Sequence, residues 1–207
     1  MRILPSPIDR VDILPAGAVE PAIAIPSEAL PFTAAIRNRA AETIALIGVR
    51  FDMKGPRTEK YSVVYYADTL RDPAKAELRP GCVRAMCAEP SYTNGTVDTR
   101  AKMNLANLRT MLFIEASLDC VAFADGRFEG PDSRGACDRI NRDREAEQSL
   151  VEQVLSVPDP RPLLTGIAAQ SCGDRARVFL ARKLLSAGDA IRDIAAAHRF
   201  RIPLWRS

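Results

Sequence analysis

The hydrophobic pattern of this chain changes period near residue 130, and that change constrains its fold more than any other feature. Before it, short runs alternate apolar and polar residues between Gly and Pro punctuation; after it, longer charged segments repeat apolar residues every three to four positions. Strands placed first and helices second predict an α+β chain with segregated layers, because parallel βαβ folds interleave the two periods. The expected organisation is a Pro-rich extended arm over residues 1–30, an antiparallel β-sandwich over 31–130 and a helical C-terminal region over 131–207.

Six prolines (Pro5, Pro7, Pro15, Pro21, Pro26, Pro31) limit the arm to one or two edge strands, since proline lacks a ladder donor. Phe32–Arg37 and Thr43–Phe51 read as strands joined by a turn at Asn38–Ala40, with Ala45, Ile47, Val49 and Phe51 on one face and Arg50 and Asp52 on the other. In Lys60–Tyr66, Tyr61, Val63 and Tyr65 alternate with Ser62, Val64 and Tyr66; the tyrosines suit a sheet core or a recognition face. Asp68–Arg79 reads as a surface crossing and Cys82–Ala88 as a strand. Asn94–Gly95 carries a hairpin-turn signal, Leu108–Glu115 alternates as a strand, and Asp125–Gly126 marks a second hairpin between Asp119–Phe123 and Arg127–Glu129.

In the helical region Asp132 or Ser133 is placed to cap a helix over about Gly135–Leu155. Pro158, Pro160 and Pro162 form a linker, and Leu163–Ala169 is a short helix. Asp174 caps a helix to Ala187, Gly188 ends it, and Asp189 starts a last one to about His198.

Charge is near balance at a formal +3, yet unevenly spread: residues 1–125 carry 15 basic and 15 acidic side chains, 126–174 carry 6 and 9, and 175–207 carry 8 and 2. The pattern fits helix faces of opposite sign better than a nucleic-acid footprint, which calls for a denser basic stripe interleaved with aromatics. No apolar run is long enough to span a bilayer, and Pro5 and Pro7 break any export signal, so the chain reads as soluble and, on its face, cytoplasmic.

Sites are sparse. His198 is the only histidine, which starves Ser-His and Cys-His catalysis, and the common nucleotide, zinc-protease and hydrolase motifs are absent. Cys82, Cys87, Cys120, Cys137 and Cys172 lack metal-site spacing. Opposite parity argues against a Cys82–Cys87 bridge, and Cys120 with Cys137 is the first pairing to test. Asp119, Asp125, Glu129 and Asp132 crowd the second hairpin; a calcium site there competes with a solvated turn and a helix cap, and Arg127 intrudes. No catalytic residue, cofactor or metal is expected.

The stretch Phe32–Met86, with Ile36–Ala40 running into Ile44–Phe51 and later Pro80–Gly81, resembles the opening hairpin of immunoglobulin-like sandwiches in bacterial envelope proteins. Leu118–Pro131, with Val121, Phe123, Asp125, Gly126, Phe128 and Gly130, is similar to uncharacterised bacterial proteins that couple such a sandwich to a helical tail. The resemblance implies a sandwich of unknown activity, often exported, and assigns no catalytic residue. The expected role is a non-enzymatic structural or protein-interaction module, with contact surfaces at an exposed sheet edge and on a basic face bearing Arg175, Arg177, Arg182 and Lys183. The alternative is a thiol-based sensor or enzyme using Cys82 or Cys87.

Overall fold

A computed structural model describes residues 1–19, 25–57, 59–68, 77–171, 173–198 and 204–206. The chain is α+β, with two sheets followed by C-terminal helices, and it divides into two compact units, Met1–Arg134 and Gly135–Arg206.

Among the described residues the first unit holds eight strands. Strand β1 (Arg2–Ile3) lies parallel to β7 (Phe113–Phe123), which also pairs antiparallel with β4 (Ile44–Lys54) and β8 (Phe128–Glu129); β5 (Tyr61–Asp68) pairs with β4. The second sheet is β2 (Val11–Pro15), β3 (Thr33–Asn38) and β6 (Val83–Cys87), in that order and antiparallel. Period-2 alternation sends Ile47, Val49, Phe51 and Met53 of one sheet and Val11, Ile13, Ala34 and Ile36 of the other into a single core. The proline-rich start is therefore part of the packing, contributing β1, β2 and the buried Ile8, Val11 and Ile13.

Three expectations are corrected here. Strands β3 and β4 form no opening hairpin; they lie in different sheets. Buried Asn38 makes the corner, its amide donating to the Glu42 and Leu78 carbonyls at 2.8 and 2.9 Å while its oxygen accepts from the Ala40 amide. Asn94–Gly95 makes no hairpin: Gly95, at φ 70°, ends a single helical turn, α1 (Ser91–Asn94). The strand expected over Leu108–Glu115 begins only at Phe113, because Leu108 closes helix α2 (Thr99–Arg109), whose Ala101, Leu105 and Leu108 are buried at helical spacing. The Asp125–Gly126 hairpin is present, with Gly126 at φ 95°. The crossing expected from Asp68 lies mostly outside the described residues.

The second unit packs α3 (Ala136–Ser156), α4 (Arg161–Ala168), α5 (Arg175–Leu185) and α6 (Ile191–Ala197) around Leu150, Val154, Leu164, Leu180, Leu184 and Ile191. Asp174 caps α5 as expected, accepting from the Ala176 and Arg177 amides. Gly135, in the left-handed region, precedes α3 with no side-chain cap of its own, and the Ser133 amide donates to Asp119. Asp189 sits in a short turn of 3₁₀ helix, Gly188–Ala190, before α6. Among the described residues no helix is long and apolar enough to cross a membrane.

Candidate functional site

Within the first unit a cleft of about 300 Å³ opens beside β5. Register places Met53 opposite Tyr61, and Phe51 and Val49 opposite Val63 and Tyr65, so Met53, Tyr61, Val63 and Tyr65 share one face and form one wall. Helix α2 forms the facing wall. Its apolar stripe is turned into the core, which leaves Asn104 and Asn107 to line the cleft with Leu108 and Met111. Ala88 and Glu89, just past β6, complete it.

Glu89 is the charged group of this cleft and is only 8% exposed. Its Oε1 accepts from the Ser91 amide at 3.2 Å and the Ser91 hydroxyl at 2.8 Å, and its Oε2 accepts from Asn104 Nδ2 at 2.8 Å. Among the described residues no Lys or Arg forms an ion pair with it. Tyr65 packs against Phe51 with ring centroids 5.9 Å apart. Burial, and then the charge of Glu89, push the Tyr65 hydroxyl above its ordinary pKa, so it stays neutral. Tyr61, 43% exposed, stands at the mouth with its hydroxyl 3.8 Å from Met53 Sδ. Among the described residues the outer edge of β5 has no strand partner. Aromatic and thioether walls around one carboxylate suit a cation carried on an apolar stem.

Of the three tyrosines weighed as a recognition face, Tyr61 and Tyr65 enter the cleft, whereas Tyr66 lies across the sheet opposite Gly48. The basic face is partly consumed internally. Arg177 donates to Gln153 Oε1 at 2.8 Å, and Arg182 donates twice, at 3.2 and 3.1 Å, to the Ala168 carbonyl at the end of α4. Arg175 and Lys183 are exposed on the same stripe as Phe179, itself 70% exposed and not singled out by the sequence.

Cys82 is an exposed free thiol. Cys87 is buried, and burial raises its pKa, holding it as a thiol at neutral pH. No disulfide joins Cys120 to Cys137, so the pairing first in line is not formed; Cys172 lies outside the described residues. His198 ends α6 with Nε2 3.1 Å from Glu147 Oε2.

The acidic hairpin sorts into two groups. Asp125 and Glu129 engage Arg127 at 2.8 and 3.3 Å, and the Arg127 backbone amide and side chain hold the Asp125 carboxyl below its ordinary pKa. Asp119 and Asp132 instead converge with Cys120, one ligand atom from each lying within 4.8 Å of the others.

No protein-family model, curated protein or solved structure matches this chain. The geometry of the site carries the functional reading alone. Glu89 and α2 were overlooked in the sequence, although Asp98 followed by Ala101, Leu105 and Leu108 is a capped helical repeat.

Proposed function

We propose that this chain is a non-enzymatic protein-interaction module whose partner lays an extended segment along the outer edge of β5 and seats a Lys or Arg side chain in the cleft against Glu89. The observation that carries this reading is Glu89 itself, a carboxylate shielded from water and held by three neutral donors, with no cation of its own chain among the described residues. An added strand would supply main-chain hydrogen bonds, and the cleft would select the side chain. The sandwich reading is supported by the single core that the two sheets share, and immunoglobulin-like layering belongs to the proposal.

The test is selection from a displayed library of short extended peptides, followed by affinity measurement on purified protein. Peptides with a central Lys or Arg are expected to enrich, and Glu89→Gln to weaken them by roughly tenfold or more. Tyr66→Ala, across the sheet, is expected to leave binding unchanged. Failure to enrich basic peptides, or full affinity in Glu89→Gln, rejects the reading. The thiol-sensor alternative rests on Cys82, the exposed cysteine among the described residues; rapid alkylation of the native protein that Cys82→Ser abolishes would favour it.

A further inference from the structure

Strand β7 changes parity in mid-run. Ile114, Ala116 and Leu118 face the core before the change, and Val121 and Phe123 after it. The ladder shows why: Val49 pairs with Leu118 and the preceding Gly48 pairs with Cys120, so Asp119 has no residue opposite. Such a bulge inserts one residue and re-aims its neighbours, so that two successive side chains can reach one site. Gly48 leaves room for the thiol, since a Cβ there would lie 2.6 Å from Cys120 Sγ. On the other side Gly130, at φ 120°, passes so close that a Cβ would lie 2.5 Å from the Asp119 carbonyl oxygen. The chain then returns to the bulge, the Asp132 amide donating to that carbonyl at 3.0 Å and the Ser133 amide to Asp119 Oδ1 at 3.1 Å.

This leaves Asp119 Oδ2 unaccounted for. Asp119 is 2% exposed, and Oδ2 is buried with no hydrogen-bond partner. A buried carboxylate oxygen without a donor is costly, and a cation removes the cost. The groups gathered around it are metal ligands, the Cys120 thiol and the Asp132 carboxylate, within 4.8 Å.

We infer that Asp119, Cys120 and Asp132 form a binding site for a borderline divalent cation of the zinc or cobalt type. Calcium and magnesium take oxygen ligands, and a thiolate among three ligands selects against them. Zinc accepts one sulfur and two carboxylate oxygens in a tetrahedron, with water in the fourth position. On binding, the Cys120 S–H bond ionises, its proton leaves to solvent, and the sulfur electron pair forms the metal bond; nothing is oxidised or reduced. Half-buried Asp132 provides the way in. The site does not depend on the cleft reading.

The experiment uses the full chain, reduced and stripped of metal with a chelator, then titrated with Co(II) alone and afterwards with Zn(II). One equivalent of Co(II) is expected to bind with a near-ultraviolet thiolate-to-cobalt charge-transfer band that Zn(II) abolishes and Ca(II) leaves intact. Cys120→Ser is expected to lose the band and Cys82→Ser to keep it. Asp132→Asn, which alters a turn residue outside both cores, is expected to weaken binding by roughly tenfold or more, and this variant decides the matter if Cys120→Ser does not fold. Absence of the band, its survival in Cys120→Ser, its loss in Cys82→Ser, or unchanged affinity in Asp132→Asn overturns the site.

Discussion

Asp52 shows how a polar residue tolerates a sheet interior. Burial alone would raise its carboxyl pKa, but the Ser62 hydroxyl and the Arg50 guanidinium, 3.0 Å away, outweigh it and hold the value below the ordinary one. A pKa lower in the folded chain than in the unfolded one contributes stability that is complete above the unfolded value and is lost as pH falls through the folded value. Asp52→Asn is therefore expected to cost about 1–3 kcal/mol at neutral pH. Chemical denaturation at a series of pH values should show a shallower decline on the acid side for the variant than for the parent. An identical acid limb would mean that Asp52 is not among the groups that set it. The sequence placed Arg50 and Asp52 together on the face opposite Phe51, and alternation sufficed for that. It did not place Ser62 beside them, because cross-strand register is fixed by pairing and not by pattern.

At the scale of elements, α2 decides whether the cleft exists. Its Asp98 cap accepts from the Ala101 amide at 2.8 Å, and Leu105 anchors it in the core. Asp98→Ala is expected to cost about 1 kcal/mol and Leu105→Ala about 2–5 kcal/mol, both measurable by thermal or urea unfolding. Because Asn104 lies on this helix, either change should also loosen Glu89 and lower affinity for a basic peptide beyond the loss of folded protein. The helices after residue 135 were legible because their caps and period agree, as at Asp174. The α2 segment misled because Leu108, Thr110, Leu112 and Ile114 mimic a strand across a helix end, and tertiary burial of Ala101 and Leu105 resolved what local alternation could not. The bulge was equally illegible: neighbours in a regular strand point to opposite faces, and only the ladder reveals the residue inserted at Asp119.

For the whole molecule, the chain divides between Arg134 and Gly135 into two units with separate cores. Leu164→Ala is expected to destabilise the helical unit by about 2–5 kcal/mol and to speed amide exchange in α3 to α6, while amides of β4 and β7 keep their protection. Uniform loss of protection would show one cooperative unit instead. Within the first unit β7 is the strand on which β1, β4 and β8 all pair, and Arg2 finds its neighbour at Glu115, more than a hundred residues later. On a ribosome the larger sheet therefore cannot close until that late segment has emerged, and β4, rich in aliphatic side chains, must wait with one flank bare. Synthesis speed and chaperone supply thus bear on how much of this protein escapes association while that flank is bare.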